Sequence, residues 1–365
     1  MAGEHDEWLP FDEPAPGLLR QLRGHRPVGA SVLVVALIAL AVGVVALFRT
    51  SANQAAAPAT LRSVAPFLGF DPYLAYDAKH QQVVLVNNPG QIWLWANRSW
   101  RMAHAATVSS PTGCCGAAAW DPELGRVLLF EAVPPGDAQP LTFTYAWDGA
   151  SWTQLVSVAE YQPPVGAYSM AYDASQQQMV MLASVGTPSG ALEIETWIYQ
   201  GGRWRRRSNL DSAAFSVISA VGFDARARTL LALSGDSTGT GTRTWRWDGS
   251  TWKQLAPSHI PPESAHMTLV NDPGSGRLLL LTQTYGFGKR TVTQTWSWTG
   301  SDWIERGPLA VNDLVPYAVT AGNDLWAFQE IPTDSHGVRT VGVFRWNGAG
   351  WDQVAVARVS PARSG

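Results

Sequence analysis

The segment TWRWDGSTW, residues 244–252, carries a pattern that occurs six times in this chain. In each copy two aromatic residues stand two positions apart, and a tryptophan follows five positions after the second. The copies are IWLWANRSW (92–100), TYAWDGASW (144–152), TWIYQGGRW (196–204), TWRWDGSTW (244–252), TWSWTGSDW (295–303) and VFRWNGAGW (343–351). These positions hold 15 of the 18 tryptophans, and the closing tryptophans recur every 48 to 52 residues. A period of this length indicates an array of one repeated structural unit.

Each copy has the chemistry of a β-hairpin. Aromatic residues two positions apart point to the same face of a strand. The turn that follows holds glycine or asparagine, as in Asp248-Gly249, and these residues tolerate a positive φ. A second hairpin precedes each copy, as in SMAYDASQQQMVML (169–182), which predicts a strand, an aspartate-led turn and a continuous aliphatic strand. The sixth such hairpin, Ala318–Phe328, has a shorter turn.

The repeat therefore predicts an all-β fold, a six-bladed β-propeller with four-stranded antiparallel blades, over residues 62–356. Residues 357–365 are expected to form a C-terminal tail. The aspartates at the end of the first strand in copies 1 to 5 are interpreted as turn formers rather than as catalytic acids.

One uncharged apolar run, residues 28–48, precedes the repeats. As a helix it would span about 31 Å, the thickness of a hydrocarbon core, and it is longer than the apolar region of a cleaved signal peptide. Arg20, Arg23 and Arg26 lie just before it. The sequence therefore predicts one transmembrane α-helix, a signal-anchor in the plasma membrane, with residues 1–27 as a cytoplasmic tail. Residues 49–61 are read as a stalk, and the propeller is expected to be extracytoplasmic.

Composition narrows the classes of function. The net charge of −3 argues against the basic surface that nucleic-acid binding usually requires. Two cysteines are too few for a disulfide-dense scaffold, and the aromatic content excludes a disordered chain.

The pattern Ala-Tyr-Asp, then an aliphatic strand, then Trp-Asp-Gly-x-x-Trp resembles bacterial kelch-repeat, galactose-oxidase-like propellers over about residues 62–356. The chain departs from the kelch pattern because single glycines, such as Gly186 and Gly235, replace the double glycine after the second strand. Copper enzymes of the galactose-oxidase type hold the metal with two tyrosines and two histidines, including an adjacent Tyr-His pair. This chain has no Tyr-His dipeptide. No catalytic residue, metal ligand or cofactor is therefore assigned from the resemblance, although four histidines lie in or near the expected loop face: His104, His259, His266 and His336.

The loops between the second and third strands are predicted to form the functional face. From a closing tryptophan to the next first-strand aspartate the distance is 20 or 21 residues, whereas from that aspartate to the second aromatic it varies from 18 to 26. Variable loops on a rigid scaffold usually carry binding sites. Candidate ligand-binding residues on this face are Cys114, Cys115, Tyr285, Phe287, Lys289, Arg290 and His336.

Three further features of the sequence have both a structural and a functional interpretation. Cys114 and Cys115 can form a strained vicinal disulfide in an oxidising compartment, or remain two thiols. The text match G-x-S-x-G at 235–239 lacks the strand-to-helix context of a nucleophile elbow and is interpreted as a loop. The basic run Arg203 to Arg207 indicates a solvated outer strand, with contact to an anionic polymer or a lipid headgroup as the alternative.

The resulting hypothesis is a membrane-anchored, extracytoplasmic binding module for a protein or a cell-envelope glycan. The alternatives are a galactose-oxidase-like or carbohydrate-acting enzyme, or a surface sensor. No acid–base pair at catalytic spacing stands out from the repeats to favour an enzyme.

Overall fold

A computed structural model describes residues 59–60, 64–69, 72–88, 90–104, 116–133, 141–156, 163–164, 166–186, 192–210, 218–235, 241–264, 266–284, 292–309, 316–331 and 338–359. Their regular secondary structure is entirely β-strand. No helix among these residues has the length and apolar character needed to cross a bilayer, and the predicted membrane segment 28–48 lies outside them.

The strands form six sheets, each with four consecutive antiparallel strands. Blade 1 contains β2 (Tyr73–Asp77), β3 (Gln82–Val86), β4 (Ile92–Ala96) and β5 (Ser99–His104). Blade 2 contains β6 (Gly116–Asp121), β7 (Arg126–Val133), β8 (Leu141–Trp147) and β9 (Trp152–Val156). Blade 3 contains β10 (Ala167–Asp173), β11 (Gln178–Gly186), β12 (Leu192–Gln200) and β13 (Arg203–Leu210). Blade 4 contains β14 (Ile218–Asp224), β15 (Thr229–Gly235), β16 (Thr242–Trp247) and β17 (Trp252–Leu255). Blade 5 contains β18 (Met267–Asp272), β19 (Arg277–Thr284), β20 (Val292–Trp298) and β21 (Trp303–Pro308). Blade 6 contains β22 (Pro316–Ala321), β23 (Asp324–Ile331), β24 (Thr340–Trp346) and β25 (Trp351–Arg358).

The blades form a closed ring. The first strand of each blade contacts the first strand of the next, and β22 contacts β2. The six-bladed, four-stranded architecture predicted from the tryptophan repeat is confirmed. Because the strands are consecutive and antiparallel, the turns between strands 1 and 2 and between strands 3 and 4 share one face. We call this the turn face, and we call the opposite face, which carries the strand 2–3 connections, the loop face.

The second strand of each blade is buried on both sides, as its aliphatic sequence predicts. In blade 3, Val180 and Leu182 pack into the interface with blade 4, whereas Met179 and Met181 pack into the interface with blade 2. The described residues form six such buried clusters, one between each pair of neighbouring blades. A blade therefore completes its core only with a neighbour on each side.

The closing tryptophan of every repeat packs against the second aromatic of the same repeat. The two residues face each other across strands 3 and 4, and their ring planes make angles of 46° to 61°. The ring centroids are 5.3 Å apart for Trp95–Trp100, 5.4 Å for Trp147–Trp152, 5.2 Å for Tyr199–Trp204, 5.1 Å for Trp247–Trp252, 5.0 Å for Trp298–Trp303 and 5.4 Å for Trp346–Trp351. These tilted arrangements are favourable for aromatic pairs.

Four closing tryptophans also bond to the preceding blade. In each case the indole Nε1–H donates to the hydroxyl of the threonine that opens the previous repeat. The pairs are Trp204 to Thr144 (2.9 Å), Trp252 to Thr196 (3.2 Å), Trp303 to Thr244 (3.0 Å) and Trp351 to Thr295 (2.9 Å). At the two remaining interfaces the threonine position holds Val343 or Ile92. The buried Nε1 atoms of Trp100 and Trp152 have no hydrogen-bond partner there within the part of the chain that the structure describes.

A short segment before blade 1 pairs with the outer strand of blade 6. Strand β1 (Ala59–Thr60), within the predicted stalk, pairs in parallel with β25, and the Ala65 N–H donates to the Arg358 carbonyl at 2.6 Å. The backbone N–H of Leu68 donates to Glu330 Oε1 at 2.7 Å. Strand β25 itself continues to Arg358, two residues past the predicted boundary at 356, because Ala357 and Arg358 still pair with Val341 and Thr340 of β24. The segment thus packs onto the last blade near the junction with blade 1.

We expect substitutions at Thr144 and at Val343 to change the free energy of unfolding in opposite directions. Thr144→Val removes the acceptor for the buried Trp204 indole and should lower the free energy of unfolding by about 1–3 kcal/mol. Val343→Thr supplies the acceptor that Trp100 lacks and should raise it by about 1 kcal/mol. Denaturant unfolding of the full chain measures both changes. Equal destabilisation by the two variants would contradict the role given to the indole bond.

Candidate functional site

The sequence-predicted ligand residues fall outside the described part of the chain. Cys114, Cys115, Tyr285, Phe287, Lys289, Arg290 and His336 all lie there, and the pairing of the two cysteines stays a prediction. The described residues instead define the base of the loop face, from which these segments leave.

Polar residues cap the blade interfaces at the loop face. Each stands five residues after the first residue of strand 2 in its blade, and each is 0–1% exposed. These residues are Asn87, Glu131, Ser234, Thr282 and Gln329. Blade 3 has Ala183 at this position. The caps are bonded to neighbouring elements: Glu131 Oε1 accepts from the Tyr73 hydroxyl of blade 1 at 3.1 Å, and Asn87 Nδ2 donates to the Phe67 carbonyl at 2.9 Å. The loop face therefore has a polar base, in contrast to the apolar interfaces beneath it.

A pocket of about 410 Å³ opens at the loop-face edge of blade 4. Its wall contains the half-buried Arg243 and the exposed Gln254, which carry guanidinium and carboxamide groups. Apolar surface comes from Leu255, Pro257 and Ile260, and the Ile260 side chain is 57% exposed. The pocket thus combines planar hydrogen-bonding groups with an apolar wall, which is the usual chemistry of a small-ligand site.

The segment that completes this pocket also contacts blade 5. The Thr282 hydroxyl donates to the Pro262 carbonyl at 3.3 Å, and the Gln283 N–H donates to Ser264 Oγ at 3.2 Å. Strand β19 ends at Thr284, immediately before the sequence-predicted loop residues 285–290. These contacts fix where that loop leaves the scaffold, beside the segment that lines the pocket.

Two of the candidate histidines contact the next blade. His104 donates through Nε2 to the Ala150 carbonyl at 2.6 Å, and His259 Nδ1 lies 2.8 Å from Asp302 Oδ2. Both partners belong to strand 3–4 turns of the next blade, so these two histidines join adjacent blades. His104 ends the outer strand of blade 1, and His259 stands beside the pocket residue Ile260 in the connection from blade 4 to blade 5. The described residues contain no group of three or more His, Cys, Asp or Glu that could hold a metal ion.

The first-strand aspartates are turn formers, as predicted. They are buried, and each accepts backbone N–H groups from its own turn. Asp121 Oδ1 accepts from Glu123 and Leu124 at 2.9 and 3.1 Å, and Asp173 Oδ1 accepts from Ser175 at 3.0 Å. Burial raises the pKa of Asp121, an effect that its two backbone hydrogen bonds oppose.

The basic run lies on the outer strand of blade 3, also as predicted. Arg203, Arg205 and Arg207 are exposed, while Arg206 Nη2 forms an ion pair with Glu195 Oε1 at 2.8 Å. Their exposure on an edge strand fits the protection of that edge from pairing with another chain.

The central channel is a second cavity, which sequence reasoning missed. It has a volume of about 380 Å³ and is lined by the first strands of all six blades. Near the turn face its wall carries Tyr76, Trp120, Tyr172 and Phe223, the residues directly before four of the turn aspartates. That recurrence was visible in the sequence, but only the ring geometry shows that these positions face the channel.

The fold is shared with solved lectin structures. No family model and no curated protein sequence matches the chain significantly. A variant of AofleA from Arthrobotrys oligospora has 12% identity and a TM-score of 0.55, covering 80% of this chain and 87% of that one. SapL1 lectin bound to α-methyl fucoside has 15% identity and a TM-score of 0.54, covering 80% and 96%. A lectin from Aleuria aurantia, described as a six-bladed β-propeller with a novel fucose recognition mode, has 14% identity and a TM-score of 0.52, covering 80% and 96%. At these identities the likeness shows the six-bladed fold.

We expect substitution of a turn aspartate to affect stability but not ligand binding. Asp173→Ala removes the acceptor of the turn N–H groups and should lower the free energy of unfolding by about 1–3 kcal/mol. Asp173→Asn keeps one side-chain oxygen as acceptor and should lose less than half as much. Denaturant unfolding of the full-length variants measures this difference. An equal loss in both variants would show that the charge, rather than the acceptor, holds the turn.

Proposed function

We propose that this chain is a carbohydrate-binding recognition module that acts through the loop face of its propeller. The observation that carries the proposal is the blade 4 pocket, which Arg243, Gln254 and the exposed Ile260 line together. A sugar presents hydroxyl pairs in one plane and C–H groups on its ring face. A guanidinium, a carboxamide and an aliphatic wall complement both features.

One further observation supports a glycan ligand. The fold is shared with lectin propellers, of which SapL1 holds α-methyl fucoside and the Aleuria aurantia lectin is described as recognising fucose. A fucosylated glycan is therefore the first ligand to test, and the sequence-predicted loop residues Tyr285, Phe287, Lys289 and Arg290 are proposed to extend the contact surface.

We further propose that residues 28–48 anchor the propeller on the outside of the plasma membrane, with residues 1–27 in the cytoplasm. The support is the uncharged run of 21 residues and the arginines that precede it. A kelch-like ancestry is likewise a proposal that rests on the repeat pattern. Cell-envelope glycans would lie within reach of a module placed there.

We expect cells that display the full chain to bind albumin conjugated with L-fucose, because the proposal places the sugar-binding pocket on the outside of the cell. Arg243→Ala should weaken binding about 10- to 100-fold, the loss expected for a charged hydrogen-bonding group. Gln254→Ala provides a second variant at the same wall. Arg205→Ala, which removes one exposed arginine from the outer strand, is the matched control and should bind normally. Flow cytometry and a binding assay on detergent extracts give the two readouts.

The outcomes separate the two parts of the proposal. Binding by extracts but not by intact cells would contradict the orientation and leave carbohydrate recognition standing. Failure of extracts to bind fucose-, galactose- and glucose-conjugated albumin would contradict carbohydrate recognition. Release of free sugar from a conjugate would instead favour the enzymatic alternative.

A further inference from the structure

Four aromatic side chains surround the turn-face end of the central channel. Tyr76, Trp120, Tyr172 and Phe223 occupy the same position in blades 1 to 4, one residue before the turn aspartate. They therefore stand on four consecutive first strands of the ring. Blades 5 and 6 complete the circle with Asn271 and Thr320.

The four rings are open to the channel. Each is partly exposed, and each packs on one side against the buried cluster between two blades. None of the four makes a ring contact with another described aromatic side chain, in contrast to the paired rings of strands 3 and 4. Aromatic side chains that line a cavity without an aromatic partner leave their π-faces available to a ligand.

The channel has few polar side chains, and most of them are hydrogen-bonded within the protein. The Thr320 hydroxyl bonds to the Asn271 carbonyl oxygen, and Asn271 Nδ2 donates to the Phe223 carbonyl at 3.2 Å. The described lining contains no Asp, Glu, Lys, Arg or His side chain. A bound anion would have no cation to meet there, and a metal ion would have no carboxylate ligand.

Negative charge lies directly behind the aromatic rings of blades 2 and 3. Asp121 and Asp173 follow Trp120 and Tyr172 in the chain, and the Tyr172 hydroxyl donates to Glu123 Oε1 at 3.3 Å. None of these three carboxylates forms an ion pair with a described residue. Burial, reinforced by Glu123 and by the two aspartates, raises the pKa of Tyr172 to about 12, so its ring stays neutral at physiological pH.

The charges behind the other aromatic rings are partly compensated. Asp224 forms an ion pair with Arg277 at 3.0 Å, and Asp77 Oδ2 lies 2.7 Å from His80 Nδ1. The negative field is therefore concentrated on the side of the channel formed by blades 2 and 3. Asp121 and Asp173 are buried, and buried charges are screened less than exposed ones such as Glu123.

We propose that the turn-face end of the central channel is a binding site for an organic cation, of the quaternary or alkylammonium class. Aromatic faces attract such cations through the ring quadrupole, and the uncompensated carboxylates behind them add a favourable field. A cavity of about 380 Å³ is large enough for a small ammonium compound. This site is at the opposite face from the carbohydrate pocket and is independent of it.

The charge of the ligand provides the sharpest test. We expect choline chloride to bind the full-length protein in detergent, measured by calorimetry and by saturation-transfer NMR on the N-methyl protons at constant ionic strength. The neutral isostere 3,3-dimethyl-1-butanol has the same shape, with carbon in place of the charged nitrogen. It should bind at least about tenfold more weakly, because the cation–π attraction is lost.

Matched variants locate the site. Tyr172→Leu and Phe223→Leu each remove one π-face and should weaken choline binding about tenfold, whereas Tyr172→Phe keeps the ring and should stay within about threefold. Arg243→Ala, in the carbohydrate pocket, should leave choline binding unchanged. Thermal unfolding of every variant confirms that the propeller is intact.

Three results would overturn the proposal. Choline and its neutral isostere could bind equally, which would make the cavity merely apolar. Folded Tyr172→Leu and Phe223→Leu variants could both retain full binding, which would put the ligand elsewhere. Finally, choline could show no saturable binding to the wild-type chain.

Discussion

The packing of the closing tryptophan holds this propeller together. A four-stranded blade has two apolar faces and cannot cover either of them alone, so its stability depends on its neighbours. The closing indole packs at a tilt against its own strand-3 aromatic and, at four interfaces, also donates a hydrogen bond to a threonine of the preceding blade. A single side chain thus joins the two outer strands of one blade and the blade before it.

With this arrangement the loop face and the turn face of the propeller can differ in structure. Because the interfaces supply the stability, the loop face can carry polar caps such as Glu131 and Gln329 and connections of variable length. At the turn face the strand 1–2 turns of blades 1 to 5 have equal lengths, since a buried aspartate sets each of them, and the first strands of blades 1 to 4 present aromatic residues to the channel. We therefore propose carbohydrate recognition at one face of the propeller and organic-cation binding at the other.

The sequence predicts the architecture well because the decisive residues are local. Two aromatics, a glycine turn and a tryptophan define each hairpin, and the aspartates act within their own turns. The missed features all depend on which blades become neighbours. The pairing of Trp204 with Thr144, and of His259 with Asp302, joins residues 60 and 43 positions apart across an interface. Strand β1 has only two residues and no pattern of its own, and its partner is set by where the ring closes.

The candidate site was predictable only in part. Loop-length variation identifies a face, but the pocket requires Arg243 on strand β16 and Ile260 in the next connection to line one cavity, which a repeat pattern does not reveal.

The most direct test of the central claim, that the closing tryptophans hold the blades together, is hydrogen exchange at the indole N–H groups of the full chain labelled with ¹⁵N-tryptophan. We expect the indole N–H groups of Trp204, Trp252, Trp303 and Trp351 to exchange only on global unfolding. Exchange of these four indoles within seconds in the native protein would contradict it.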